Sequence, residues 1–152
     1  MTVEEKLKTL GITLKSAPAP AANYVPFTQS GNLVFVSGQI SAGADGPITG
    51  KLGDTFSIED GQAAARICAL NLLAQLKTAC GGDLNRVKRV VRLGGFVNAA
   101  PDFNDHPAVI NGASDLMVAV FGDAGRHARA AVGCSSLPFG VAVEVEGVFE
   151  VT

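Results

Sequence analysis

The chain has 152 residues, of which 47% are hydrophobic and 17% charged, with a net charge near −2. That length and apolar content fit one domain that buries a core without disulfides, and they exclude a disordered chain. The scarcity of charge points to further surface hidden in an oligomer and disfavours nucleic acid, whose phosphates need a larger basic footprint than Arg86, Lys88, Arg89 and Arg92.

Residues 3–11 read as a short helix, with Val3, Leu7 and Leu10 at helical spacing and Gly11 as the stop. The charged, amphipathic start is not a signal peptide, and no apolar run is long enough to span a membrane, so a cytoplasmic protein is expected. A Pro/Ala linker follows over 16–23, so residues 1–20 read as helix plus linker and 21–152 as a single domain. YVPFTQ and LVFVSGQ flank the turn SGN at 30–32 and predict a hairpin. Pro26 places its first strand at an edge or on a bulge. Residues 41–54 are rich in turn formers and read as loop.

Ser57 and Asp60 then form a capping-box pattern ahead of a helix running to about Cys80, and Gly81-Gly82 ends it. Residues 86–98 predict a strand in which Gly94-Gly95 marks a bulge or a close backbone approach. A loop over 100–107 leads to a helix over 108–121, weakened by Gly112. Strands over 128–133 and 141–151 close the chain. Two helices cannot wrap both faces of such a sheet. The expectation is an α+β two-layer sandwich, a mixed sheet with both helices on one face, the other face being wet or buried against another subunit.

Strand alternation sorts the polar residues. Val141, Val143, Val145, Phe149 and Val151 share one parity and belong under the helices, which leaves Glu144 and Glu146 on the uncovered face. In 128–133 the set Ala128, Ala130 and Val132 is assigned to the helices, so Arg129, Ala131 and Gly133 also face the uncovered side. An arginine with small neighbours suits a small anion, because the guanidinium fork matches a carboxylate. An Arg–Glu pair across exposed strands explains the same pattern, and strand parity taken alone favours it. Cys68, Cys80 and Cys134 have no metal spacing, and His106 and His127 lack a ligand pattern, so no metal site is expected.

Several motifs in order resemble the Rid/YjgF family, also labelled endoribonuclease L-PSP, over nearly all of residues 20–152. They are Tyr24 ahead of the first strand, LVFVSGQI (33–40), Asn111 in the second helix, the R-x-x-V segment opened by Arg129, Leu137-Pro138, and the strand carrying Glu144. The resemblance implies a chorismate-mutase-like fold and a homotrimer whose uncovered faces surround a central barrel, with sites in clefts between subunits. It implies hydrolysis of reactive enamines and imines, such as 2-aminoacrylate and 2-iminopropionate, to a 2-keto acid and ammonium, without metal or cofactor. Arg129 would then clamp the substrate carboxylate and Glu144 would orient a water, with Glu146 as rival. Tyr24, Ser37, Gly38, Asn111 and the backbone near Ala131 would complete the pocket.

The chain departs from the family's deaminase branch at Ala131, where many members carry Cys, and the loop before Arg129 is longer by about one residue. The N-terminal helix also suggests a separate branch. An imine hydrolase and a non-catalytic binder of small carboxylates such as 2-keto acids therefore both remain open. The ribonuclease reading has less support, since no basic groove is visible and the two histidines show no acid–base pairing.

Overall fold

The computed structural model describes residues 1–17 and 23–152. The expected linker over 16–23, with the domain boundary at residue 20, falls largely outside the described residues. The order of elements is α1 (Val3–Thr9), β1 (Phe27–Ser30), β2 (Leu33–Ile40), β3 (Ala42–Gly43), β4 (Gly46–Pro47), α2 (Ile58–Ala79), β5 (Val87–Asn98), α3 (His106–Phe121), β6 (Ala128–Cys134) and β7 (Val143–Val151). Five strands make one mixed sheet in the order β1-β2-β7-β5-β6. Only β5 and β6 run parallel within it; α3 is the crossover between them.

Local chemistry explains most boundaries. Ser57 accepts from the Asp60 amide while Asp60 accepts from the Ser57 amide, so the capping box starts α2. Gly81 and Gly82 both adopt positive φ and end it. The β1–β2 hairpin turns at Gly31-Asn32, and β1 is an edge strand, as Pro26 implies. The loop expected over 41–54 contains the small β3–β4 ladder, missed because two-residue strands carry no alternation. Helix α3 begins at His106, two residues earlier than expected, since Pro107 fits the first turn, where its missing N–H costs nothing.

Helices α2 and α3 pack against each other and cover one face of the sheet. Val143, Val145, Phe149 and Val151 from β7 are buried there with Leu72 and Leu76 of α2 and Ile110 and Leu116 of α3. Gly95 is the close approach that the sequence suggested: a Cβ there would meet Ile110 at 2.6 Å. The bulges in β5 lie earlier, between Val87 and Arg89 and between Val90 and Arg92. Helix α1 docks at the far end, where Glu4 accepts from the Leu84 amide and from Asn85.

The second face has no cover from the described residues. Across it run two rows, Ile40–Glu144–Phe96–Val132 and Phe35–Val148–Arg92–Ala128. Phe35 is 43% and Val132 47% exposed.

Candidate active site

The uncovered face holds one half of the predicted residues. Glu144 and Glu146 lie on it, as alternation in β7 requires. A register irregularity between Val36 and Gln39 turns Gly38 to the same face, and a Cβ on Gly38 would meet the Glu144 carboxylate at 2.3 Å. Glu144 therefore lies flat across β2. Glu146 lies the other way, over Gly94, with its Oε2 3.7 Å from Arg92 Nη1. Burial, and then the charge of Glu146, raise the Glu144 pKa above the ordinary carboxylate value.

Ser37 ties the chain ahead of β1 to this face. Its amide donates to the Pro26 carbonyl at 2.8 Å, and its hydroxyl to the Val25 carbonyl at 3.1 Å. A cleft of about 180 Å³ opens between Val25, Thr28, Phe35, Ser37, Gly38 and Glu146. Tyr24 sits next to Val25 and is exposed.

Arg129 does not lie there, which corrects the expectation that it faces the uncovered side. Its partner in the parallel register is Leu93, fully buried under the helices, and Ala131 pairs with Gly95. The set Ala128, Ala130 and Val132, assigned above to the helices, is exposed on the open face instead. The reason is that β6 is an edge strand with small residues on both sides. Alternation has no contrast in it, and Val132 was a misleading cue.

Arg129 reaches α3. Its Nη1 donates to Asn111 Oδ1 at 2.8 Å and to Ser114 Oγ at 3.1 Å. Those two bonds use both hydrogens of Nη1, and neither Nε nor Nη2 has an acceptor among the described residues. No carboxylate of the described residues pairs with Arg129. The cross-strand Arg–Glu pair exists in this sheet, but between Arg92 and Glu146. Ser114 also meets His127 Nε2 at 2.9 Å. Neither Ser114 nor His127 was identified from sequence. The one available signal was the 111/114 spacing, which puts both side chains on one helix face.

Strand order separates the halves. β2 and β6 stand three strand spacings apart, about 14 Å, and Arg129 and Glu144 occupy opposite faces. One chain cannot bring both to one small molecule.

Three of the basic residues on and beside β5 have local partners: Arg86 donates to the Thr152 carbonyl, Arg89 to the Arg126 carbonyl, and Lys88 lies 3.9 Å from Glu150. Larger hollows, of about 410 and 470 Å³, flank α1 and the end of α2 and contain none of the predicted site residues. Among the described residues no three or more His, Cys, Asp or Glu converge to hold a metal, and no helix is long and apolar enough to cross a membrane. Burial pushes the Cys68 thiol up, so it stays protonated.

This two-layer fold, with an arginine held against its crossover helix and a glutamate on its open face, belongs to a defined class. Residues 4–147 match the model of the YjgF/chorismate mutase-like, putative endoribonuclease family, and the chain belongs to that family. It is 51% identical over 150 residues to Protein TCP17 of Trypanosoma cruzi, covering 97% of this chain and 93% of that one. The crystal structure of Atu1372, of unknown function, from Agrobacterium tumefaciens is 48% identical and superposes with a TM-score of 0.90 over 99% of this chain and 94% of that one. A putative endoribonuclease from Shewanella oneidensis is 35% identical with a TM-score of 0.93, covering 99% and 100%.

Proposed function

We propose that the chain hydrolyses reactive 2-imino acids and their enamine tautomers, of the 2-iminopropionate and 2-aminoacrylate type, in clefts completed between copies of a homotrimer. The observation that carries this reading is the state of Arg129. Its Nη1 is saturated by Asn111 and Ser114, while the Nε/Nη2 edge, the one that grips a carboxylate side-on, is open. The second half, Ser37, Gly38 and Glu144, would come from the open face of a neighbouring copy, with Tyr24 walling the pocket and the Ala131 backbone beside the arginine.

The chemistry asks little of such a site. An iminium carbon is already electrophilic, so holding the substrate and one water in line supplies most of the catalysis. Ionised Glu144 takes a proton as the water oxygen bonds to the carbon and the C=N π electrons pass to nitrogen. That proton returns to the nitrogen of the resulting carbinolamine; as the C–N bond breaks, the hydroxyl proton passes to the departing ammonia, leaving the 2-keto acid and ammonium. A carboxylate raised toward neutral is a better-matched base than an ordinary one. The ribonuclease activity in the family's description finds less support, because the basic residues of β5 are taken up by local partners.

The test generates 2-iminopropionate in place with an amino acid oxidase and follows how much imine a trapping nucleophile still captures. Wild type should shorten imine lifetime, and Arg129→Ala should lose about a hundredfold in kcat/KM. No acceleration together with saturable, Arg129-dependent binding of a 2-keto acid would replace this reading with a non-catalytic carboxylate binder. Salt-dependent RNA affinity would be needed to restore the ribonuclease reading.

A further inference from the structure

We infer that Ser114 and His127 form a relay that positions Arg129, fixing which edge of its guanidinium is offered to a ligand. The inference rests on the carboxylate-clamp reading of Arg129 for its functional meaning, but the relay itself follows from hydrogen-bond direction.

The series of hydrogen bonds starts at Gly125. A Cβ there would meet the Met117 carbonyl at 2.2 Å, so this turn packs directly onto α3 and only glycine fits. The Gly125 carbonyl is thereby held, and His127 Nδ1 lies 2.7 Å from it. A carbonyl only accepts, so Nδ1 carries a hydrogen. Burial, and the charge of Arg129, lower the His127 pKa and favour the neutral ring. In that ring Nε2 is a bare acceptor. Ser114 Oγ, 2.9 Å away, must give it the one hydrogen it owns. Only lone pairs then remain on Ser114 to face Arg129 Nη1 at 3.1 Å.

No hydrogen in this series is free to reorient. Ser114 is a committed acceptor toward the arginine, and Asn111 Oδ1 takes the second Nη1 hydrogen. An arginine side chain otherwise surrenders rotamer freedom when a ligand orders it. Here the ordering is completed before any ligand arrives, and the Nε/Nη2 edge is left without an acceptor among the described residues. Ser114 and His127 touch no substrate in this scheme; they act through Arg129.

The experiment compares Ser114→Ala, His127→Ala, the double variant and His127→Gln. It reads 2-oxobutyrate affinity by calorimetry and rotation about the Arg129 Nε–Cζ bond by nitrogen-15 NMR. Ser114→Ala removes one oxygen and should leave the fold intact. Each alanine substitution should weaken 2-oxobutyrate binding by about three- to tenfold. The double variant should be no worse than the weaker single one, because the residues act in series. His127→Gln, whose amide oxygen can stand where Nε2 stood, should recover most of the loss. In an Arg129→Ala background the same changes should have no effect. The Arg129 signal should show hindered rotation in wild type and free rotation in the alanine variants. Free rotation in wild type, or additive losses, would overturn the relay. Hindered rotation that Ser114→Ala releases, with no 2-oxobutyrate bound by any protein, would uphold the relay and remove the carboxylate reading.

Discussion

Glu144 is held in a state that costs stability. It lies against Gly38 with its charge partly desolvated and facing Glu146, so its pKa is raised. The sign follows from linkage. A carboxyl whose folded pKa exceeds its unfolded value favours folding below the unfolded pKa, and that contribution is lost as pH rises through the folded one. Glu144→Gln should therefore raise the thermal midpoint at neutral pH and change it little below pH about 4, where both forms are uncharged. The same variant should lower kcat for imine hydrolysis by about 10²- to 10⁴-fold. Loss of stability at neutral pH would show that Glu144 is held by favourable contacts instead. His127 runs the other way: its folded pKa is depressed, so the stability it contributes is present above its ordinary value of 6.5 and declines as pH falls below it. Urea titrations of His127→Gln and wild type should converge as pH falls through that window.

Gly112 shows at the scale of elements why a propensity argument fails. Taken alone, glycine in mid-helix weakens α3, and alanine there would gain about 1 kcal/mol. In the fold α2 crosses α3 so closely that a Cβ on Gly112 would meet the Gln62 carbonyl at 2.1 Å. Backbone cannot yield as a side-chain tip can, and overpacking costs about 1–3 kcal/mol. Gly112→Ala should lower the thermal midpoint by several degrees, measurable by calorimetry; a rise would mean that the helices separate freely. Strand β7, long and alternating, disclosed its faces in the sequence, and the Ser57–Asp60 box disclosed the start of α2. Strand β6 did not, because Ala128, Ala130, Ala131 and Gly133 offer no hydrophobic contrast, and its orientation is decided by α3 lying over it. Family motifs disclosed Arg129 and Asn111, whereas Ser114, His127 and the face that gathers the four stayed hidden for the same reason. The four come from α3, from β6 and from His127 just ahead of it, and the β5–α3–β6 crossover, which no local spacing reports, turns them toward one another.

For the whole molecule the uncovered face is decisive. A sheet with Phe35, Phe96, Val132 and Val148 turned away from its helices presents apolar surface that an isolated chain leaves wet. The proposed trimer covers it. Sedimentation should give a mass near three times 15.5 kDa, and Phe35→Glu with Val132→Glu should give a folded monomer without imine hydrolase activity. A wild-type monomer at micromolar concentration would remove the intersubunit cleft.

Arg129 and Glu144 stand on opposite faces of one sheet, so a working pair must be lent by two different chains. Two disabled proteins therefore hold complementary defects. Arg129→Ala keeps a sound glutamate and Glu144→Gln keeps a sound arginine. Unfolded together in equal amounts and refolded, they should regain about a quarter of wild-type activity, the share of interfaces at which random assembly sets the intact arginine beside the intact glutamate. Either protein refolded alone should return only to its own residual activity, about a hundredth of wild type or less.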